Sequence, residues 1–225
     1  MKIVVTAGPT REPIDPVRFI SNRSSGKMGY AIAEAARDDG HEVTLITGPT
    51  TIELPDEVDV VRVNTSDDLF DVVHKHIRFC DVLVMCAAVS DYKPAKFSPH
   101  KLEKHRDAFT LELLATRDIL ASLPTEDRNY LVIGFAAQTH ELEQNALRKL
   151  HAKNCDAIVA NDVSRTDSGM ESDDNEVTIF FRGGDRHTIA RASKIIIARE
   201  LGKIISRLHE KKFDKKNVAL THKLL

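Results

Sequence analysis

Short apolar runs with no polar face alternate with helix-patterned stretches through the first three quarters of this chain, and that alternation limits the fold more than any other feature. Val82-Leu83-Val84-Met85-Cys86 offers no side to water. A strand built from it must lie in a sheet covered on both faces, as parallel sheets are in α/β proteins. Strands are expected over residues 2–7, 42–47, 59–63, 81–88, 130–137 and 156–161. Helices are expected over 26–39, with Ser24 or Ser25 as N-cap and Gly40 as the stop, and over 67–78, with the capping-box pair Thr65 and Asp68. Two more are expected over 141–153 and 191–211, the last with Ile197, Leu201, Ile204, Ile205 and Leu208 as one apolar stripe. Residues 176–181 and 187–190 flank Arg182-Gly183-Gly184-Asp185 and read as a β-hairpin. The fold class is therefore α/β: a three-layer, doubly wound, mostly parallel sheet with an antiparallel hairpin near the C-terminus. Residues 1–225 read as a single domain, with a flexible tail over 213–225 in a Lys-rich end that carries Lys211, Lys212, Lys215, Lys216 and Lys223.

Charge and cysteine usage narrow the function classes. The chain has 32 Lys and Arg against 34 Asp and Glu, a net charge of −2. That balance excludes nucleic-acid binding by bulk charge. No apolar run approaches the roughly 20 residues of a membrane helix, so no membrane partner is expected. Lys2 precedes a short apolar run that Gly8 and Pro9 interrupt before a signal-peptide core could form, and cytoplasmic localisation is expected. Cys80, Cys86 and Cys155 are odd in number and lack metal-ligand spacing, which reads as buried reduced thiols, with a catalytic thiol as the alternative.

The chemistry is expected after the first strand. A long polar segment follows Ala7-Gly8-Pro9-Thr10 before the next helix begins, at the carboxyl edge where α/β sheets bind ligands. It contains neither G-x-G-x-x-G nor a complete P-loop, yet Ser24, Ser25 and Gly26 at a helix start can offer hydroxyls and backbone N–H groups to an anion. Local physics leaves phosphate binding and simple capping equally open there. A second polar loop follows the fourth strand, from Ala87 and Ala88 through Asp91 to Lys101. Its small residues allow close approach of a flat ligand, Asp91 can hold a hydrated Mg²⁺ and Lys101 can meet a phosphate. As surface charges, both have a plainer reading.

Five stretches together resemble the bacterial phosphopantothenoylcysteine synthetase family. They are Thr6-Ala7-Gly8-Pro9-Thr10-Arg11-Glu12-Pro13-Ile14-Asp15-Pro16-Val17-Arg18-Phe19-Ile20-Ser21-Asn22 with Ser24-Ser25-Gly26-Lys27-Met28-Gly29, then Ala87-Ala88-Val89-Ser90-Asp91-Tyr92, Gly134-Phe135-Ala136-Ala137, Ala160-Asn161-Asp162-Val163-Ser164 and Ser172-Asp173-Asp174-Asn175. The resemblance implies a ligase that joins 4′-phosphopantothenate to cysteine through an acyl-nucleotidylate, with CTP as co-substrate in the bacterial branch, ATP in the animal one, and Mg²⁺ as cofactor. It implies that Asp91, Lys101, Phe135, Lys149, Lys153 and a helix start at Arg117, Asp118, Ile119 and Leu120 contact the nucleotide, with Ser24 and Gly26 beside them. Asn22 and Lys101 are the implied catalytic residues, Asp91 the metal ligand, and Arg18, Asn22, Ala87 and Ala88 the substrate-binding residues. A homodimer is implied, in which Arg18 reaches the phosphopantothenate of the neighbouring subunit. Met1 abuts the first strand, so the decarboxylase domain that many bacterial relatives carry upstream is expected to be absent.

Two other functions compete. A dinucleotide-dependent oxidoreductase is disfavoured by the missing G-x-G-x-x-G and by the lack of an acidic residue ending the second strand. A non-catalytic nucleotide- or partner-binding module of the same fold is the alternative, suggested by Glu103 and Gln138, where the family usually has Lys and Glu.

Overall fold

The computed structural model describes residues 1–104, 108–126, 128–138, 140–162 and 172–221, with side chains through residue 213. Val163, Ser164 and Lys223 lie outside the described residues, as do the side chains of Lys215 and Lys216. In chain order the elements are β1 (Lys2–Ala7), β2 (Arg11–Pro13), β3 (Phe19–Ser21), α1 (Lys27–Asp38), β4 (Glu42–Thr47), β5 (Asp59–Arg62), α2 (Ser66–His76), β6 (Val82–Met85), β7 (Tyr92–Pro94), β8 (Leu113–Ala115), β9 (Leu131–Gln138), α3 (Leu142–Ala152), β10 (Ala157–Asp162), β11 (Asp174–Phe181), β12 (Arg186–Ser193) and α4 (Lys194–Thr221).

The described residues form one eight-stranded sheet in the order β12-β11-β10-β9-β6-β1-β4-β5. Pairing is parallel from β5 to β10. It is antiparallel between β11 and β12, as the hairpin reading requires, and between β10 and β11 as well. Successive strand residues point to opposite faces, and both faces are buried. Ile3, Val5, Val82 and Val84 pack under Ile32 of α1 and Ile197 and Leu201 of α4. Val4, Leu83, Val132 and Ile158 pack under Leu69 and Val73 of α2 and Ala146 and Leu150 of α3. Each fully buried aliphatic side chain contributes about 1.5–3 kcal/mol, and that burial is what demands two helical layers. Among the described residues, no helix is long and apolar enough to cross a membrane.

Local signals decide several boundaries. Thr65 and Asp68 form the expected capping box at the start of α2. Gly40, at φ +80°, ends α1: its N–H donates to the Arg37 carbonyl at 2.8 Å and that of His41 to Ala36 at 3.1 Å. This is the Schellman pattern. Elsewhere the expectations need correction. The N-cap of α1 is neither Ser24 nor Ser25 but Gly26, at φ 83° and without a side-chain cap; Ser24 Oγ accepts from the Gly26 N–H at 3.3 Å instead. The 117–120 stretch is a single turn rather than a helix start. Asp118 Oδ1 accepts from Ala121 N–H at 3.0 Å, and Pro124 prevents the turn from continuing. The last helix starts at Lys194, because β12 keeps residues 186–193, and it runs through Thr221 rather than stopping at residue 211. Leu208 and Phe213 still pack against the core there, so the apolar face outlasts the stripe that suggested the helix. The polar segment after β1 is no plain loop either: β2 and β3 pair as a two-stranded ribbon, and β7 with β8 form a second.

Gly29 sets the distance between α1 and β1. A Cβ there would lie 2.5 Å from Ala7 Cβ and 3.0 Å from the Thr6 carbonyl oxygen. Gly29→Ala should therefore destabilise the protein by about 1–3 kcal/mol, despite the roughly 1 kcal/mol that Ala gains over Gly inside a helix. A urea midpoint at or above that of the wild type would refute this packing account.

Candidate active site

β1 and β6 are neighbours in the sheet, but the chain leaves β1 for β4 and β5 and returns to β6 on the opposite side. Their carboxyl ends thus meet where the strand order reverses, the place where open α/β sheets bind ligands. Two buried threonines hold that junction. Thr6 Oγ1 accepts from the Cys86 and Ala87 N–H groups, each at 3.1 Å, and Thr10 Oγ1 accepts from Ser90 N–H at 3.0 Å. The backbone after β6 is thereby held at the mouth of the crevice.

Two cavities open there and share a wall. The first, of about 320 Å³, is lined by Asn22, Ser24, Gly26, Lys27, Ala87, Ala88, Asn161, Asn175 and Lys194 among others. The second, of about 270 Å³, is lined by Asp91, Thr116, Arg117, Asp118, Ile119, Leu120 and Lys153. Ala87, Val89, Phe135 and Lys149 line both. The structure thus gathers Asp91, the 117–120 turn, Phe135, Lys149 and Lys153 into one cavity. It puts Asn22 and Ala88 in the other, with Ala87 on the common wall, joined by Ser24 and Gly26, which the sequence reading grouped with the nucleotide. Neither Arg18 nor Lys101 lines either cavity.

Charge is concentrated on these walls. Lys149 Nζ donates to the Phe135 carbonyl at 2.5 Å, and burial lowers its pKa. Lys153, which is the C-cap of α3 rather than a residue within it, pairs with Asp118. Burial pushes the Asp118 carboxyl up, but the bond from Lys153 and the Ala121 N–H outweigh it, so its pKa is lowered overall. At the far end of the first cavity Lys27 Nζ lies 2.5 Å from Asp173 Oδ1, and Lys194 donates to the Ser172 carbonyl. Burial, reinforced by nearby Lys27, lowers the Lys194 pKa. Lysines at the first residue of both α1 and α4 make this end suited to an anionic ligand. Asn22 Nδ2 donates to the Ala88 carbonyl at 3.1 Å, which places its amide beside the small-residue strand end. The thiols are inert by comparison: burial pushes Cys80 and Cys86 up to about 12 and Cys155 to about 11. That leaves no thiolate for catalysis near neutrality. Among the described residues, no group of three or more His, Cys, Asp or Glu could hold a metal ion on its own.

The segment between β1 and α1 is pinned from beneath by two buried carboxylates. Glu12 Oε1 accepts from Ser66 N–H at 2.8 Å, at the positive end of α2. Asp15 Oδ1 accepts from the Val17 and Arg18 N–H groups, each at 2.8 Å; Oδ2 accepts from Arg18 Nε at 2.8 Å and Leu102 N–H at 3.1 Å. Sequence reasoning missed Lys27, Lys194, Asn161 and Asn175 as cavity residues. Three of them stand inside the quoted stretches, where their residue types were the only signal. Lys194 carried none, since it reaches the site only because the hairpin returns the chain to the sheet.

Residues 1–208 match the family described as the DNA/pantothenate metabolism flavoprotein C-terminal domain. The chain is 42% identical over 207 residues to the coenzyme A biosynthesis bifunctional protein CoaBC of Bacillus subtilis (strain 168), covering 92% of this chain and 51% of that protein. It spans about half the length of the curated relatives it matches. The crystal structure of the C-terminal domain of CoaBC superposes with a TM-score of 0.80 at 41% identity, covering 93% of this chain and 96% of that one. The DNA/pantothenate metabolism flavoprotein of Streptococcus pneumoniae superposes with a TM-score of 0.79 at 25% identity, covering 92% and 99%.

The Asp15 cluster has a pH signature. Burial pushes this carboxyl up, but the Arg18 guanidinium and three backbone N–H groups outweigh it and hold it well below the ordinary 3.8. A carboxyl depressed in the folded state stabilises that state above the unfolded pKa and ceases to do so as pH falls toward the folded one. Acidification below about pH 4 should therefore cost the wild type more stability than it costs Asp15→Asn, which starts less stable at neutral pH. Parallel stability curves for the two proteins between pH 5 and pH 2 would show that Asp15 does not supply this dependence.

Proposed function

The chain belongs to the family of the DNA/pantothenate metabolism flavoprotein C-terminal domain, and from that premise we propose that it is a phosphopantothenate–cysteine ligase of coenzyme A biosynthesis. The observation that carries the reading is the wall of Ala87, Val89, Phe135 and Lys149 common to both cavities. A reaction that activates a carboxylate on a nucleotide and then passes the acyl group to an amine needs a nucleotide site and an acyl site in contact. We take residues 1–225 as one ligase domain.

A carboxylate has no leaving group that an amine can displace, so activation comes first. A carboxylate oxygen of 4′-phosphopantothenate bonds to the α-phosphorus of the nucleotide, and the bond from that phosphorus to its bridging oxygen breaks, releasing pyrophosphate. The cysteine amine then bonds to the acyl carbon. The carbon–oxygen bond to the nucleotide breaks, nucleoside monophosphate leaves and the amine proton passes to solvent. In this scheme Asp91, Arg117, Asp118, Ile119, Leu120, Phe135, Lys149 and Lys153 hold the nucleotide, and Ser24 and Gly26 offer donors to its phosphates. Asn22, Ala87 and Ala88 hold the acyl group, Lys101 serves catalysis and contacts the nucleotide, and Arg18 reaches the phosphopantothenate of the neighbouring subunit. The nucleotide is CTP rather than ATP, following the bacterial branch that the sequence resembles. Mg²⁺ fits the donor set, because that ion takes one or two carboxylates together with substrate phosphates, and Asp91 stands on the nucleotide cavity. When bound it would offset charge on the departing pyrophosphate.

The protein is a homodimer in this reading. Val17 is 60% exposed and Phe19 47%, on a segment stiffened by Pro13 and Pro16, and a second copy would cover that apolar surface. The reaction is cytoplasmic, where its substrate cysteine stays reduced.

Incubation with CTP, phosphopantothenate and Mg²⁺ should release pyrophosphate without cysteine, and less with ATP in place of CTP. No release with either nucleotide would leave the non-catalytic module in its place. Asn22→Ala should slow the cysteine-dependent step about 10²-fold more than pyrophosphate release, since that step needs the acyl carbonyl presented to an amine. Equal losses in both half-reactions would remove Asn22 from this role. Lys153→Ala should raise the nucleotide KM roughly tenfold and leave that for cysteine nearly unchanged, with a weaker salt dependence of nucleotide binding. Matching affinities and salt slopes would return Lys153 to a structural pairing with Asp118.

A further inference from the structure

Asp67, in the first turn of α2, holds two cations from the rim of the second cavity. Its Oδ1 accepts from Arg117 Nε at 2.9 Å and its Oδ2 from Lys93 Nζ. Arg117 Nη2 donates to the Asp67 carbonyl at 3.2 Å and to Asp71 Oδ1 at 3.0 Å, and its guanidinium carbon lies 3.8 Å from the centroid of the Phe70 ring. The bond from Lys93 lowers the Asp67 pKa against the opposing effect of burial, and the bond from Arg117 adds to it. Both bonds are therefore charge-assisted. Arg117 lines the second cavity. Among the described residues, however, its guanidinium hydrogen-bonds to α2 alone.

These bonds fix the rim of that cavity. Thr116 N–H donates to the Asp91 carbonyl at 2.9 Å and Thr116 Oγ1 to the Ser90 carbonyl at 2.7 Å, which joins the 117–120 turn to the loop that carries Asp91. Lys93, two residues past Asp91, pairs with Leu114 across the β7–β8 ribbon. At the far end of the turn Ser122 Oγ donates to the Ile119 carbonyl at 2.7 Å and shares a 3.1 Å hydrogen bond with His74 Nε2, while the His74 ring stacks on Phe70 with centroids 4.1 Å apart. Positions 67, 70, 71 and 74 share one face of α2 by helical spacing. Both ends of the turn are thus fastened to that face. A single turn cut short at Pro124 has little rigidity of its own, so its place depends on these contacts.

We propose that Asp67 and Arg117 form a clasp that positions the nucleotide-holding turn and Asp91 against α2, with Arg117 acting through the turn rather than by touching a phosphate. The proposal rests on the ligase reading above and deepens it at the nucleotide site. Asp67 is the positioning residue, and its side chain is 39% exposed. Ion pairs at that exposure add little to stability, so loss of the clasp should read in nucleotide binding before it reads in folding.

Asp67→Asn, Arg117→Ala and the double variant test it, with the KM and binding affinity for nucleotide measured at two salt concentrations and a urea midpoint for each protein. The double variant removes one charge of each sign and leaves the net charge unchanged. Each single variant should raise the nucleotide KM about fivefold, while kcat and the cysteine KM change less, the urea midpoint stays close to that of the wild type and the salt slope of nucleotide binding is kept. The double variant should do no more harm than the worse single one, because both substitutions open the same clasp. A lower nucleotide KM in Asp67→Asn, with a shallower salt slope in Arg117→Ala, would overturn the proposal: a guanidinium that grips phosphate binds better when its carboxylate partner is gone. Unchanged nucleotide affinity with a lowered urea midpoint would overturn it by leaving the clasp a purely structural contact. Additive losses in the double variant would overturn it by separating the two roles. A wild-type protein that binds no nucleotide would sink the ligase reading itself, and the proposal with it.

Discussion

The hydrogen bonds that Thr6 and Thr10 make across the β1–β6 seam hold the site in place. Parallel pairing of the two strands ends at Thr6 opposite Met85. Beyond it the backbones continue side by side only through an isolated bridge between Pro9 and Ala88, with Ala88 N–H donating to the Gly8 carbonyl at 2.9 Å and Thr10 N–H to the Ala88 carbonyl at 3.2 Å. The threonine hydroxyls take the backbone N–H groups that a regular ladder would have used. Such N–H groups cost about 1–3 kcal/mol each when buried without a partner, so the junction is both stable and irregular. The cavities lie at this irregular end: Ala87 and Val89, past the last regular pair of β6, belong to the wall between them. Asn22 reaches that wall from one side, and Phe135 and Lys149 from the other.

Charged groups act as fasteners at both ends of the sheet. At the carboxyl end Glu12 and Asp15, both buried, fasten one short ribbon to the start of α2 and to the chain near Leu102. At the amino end Asp156 accepts from Arg128 at 2.7 Å, from Val132 N–H at 2.8 Å and from Lys212 at 2.8 Å, anchoring the far part of α4 beneath β9 and β10. A buried ion pair often adds little net stability over an apolar replacement, yet losing one partner is costly. These clusters therefore specify where segments go more than they strengthen the whole. The cavity lysines follow the opposite logic. Burial holds the pKa of Lys149 and Lys194 below that of a free lysine, an arrangement that an anionic ligand would relieve.

The sequence by itself determined the layers. Runs apolar on both faces demanded a covered parallel sheet, the 3.6-residue periods supplied the covering helices, and Gly40, Thr65 and Asp68 marked helix ends because capping is local chemistry. It also pointed to the carboxyl edge after β1, where two cavities open, and the resemblance carried by stretches along the whole chain named most of the lining of the second. Tertiary structure decided what no local pattern encodes. It split the named residues into two adjoining cavities and put Ser24 and Gly26 in the first, beside the start of α1, which Gly29 lets press against β1. It also brought Lys194 across most of the chain length to meet Lys27. It converted a polar loop into a ribbon whose carboxylates bond to α2 and to Leu102, partners distant in sequence. Those contacts depend on where separate elements pack, and packing follows from the summed burial of both sheet faces rather than from the residues on either side of any one position.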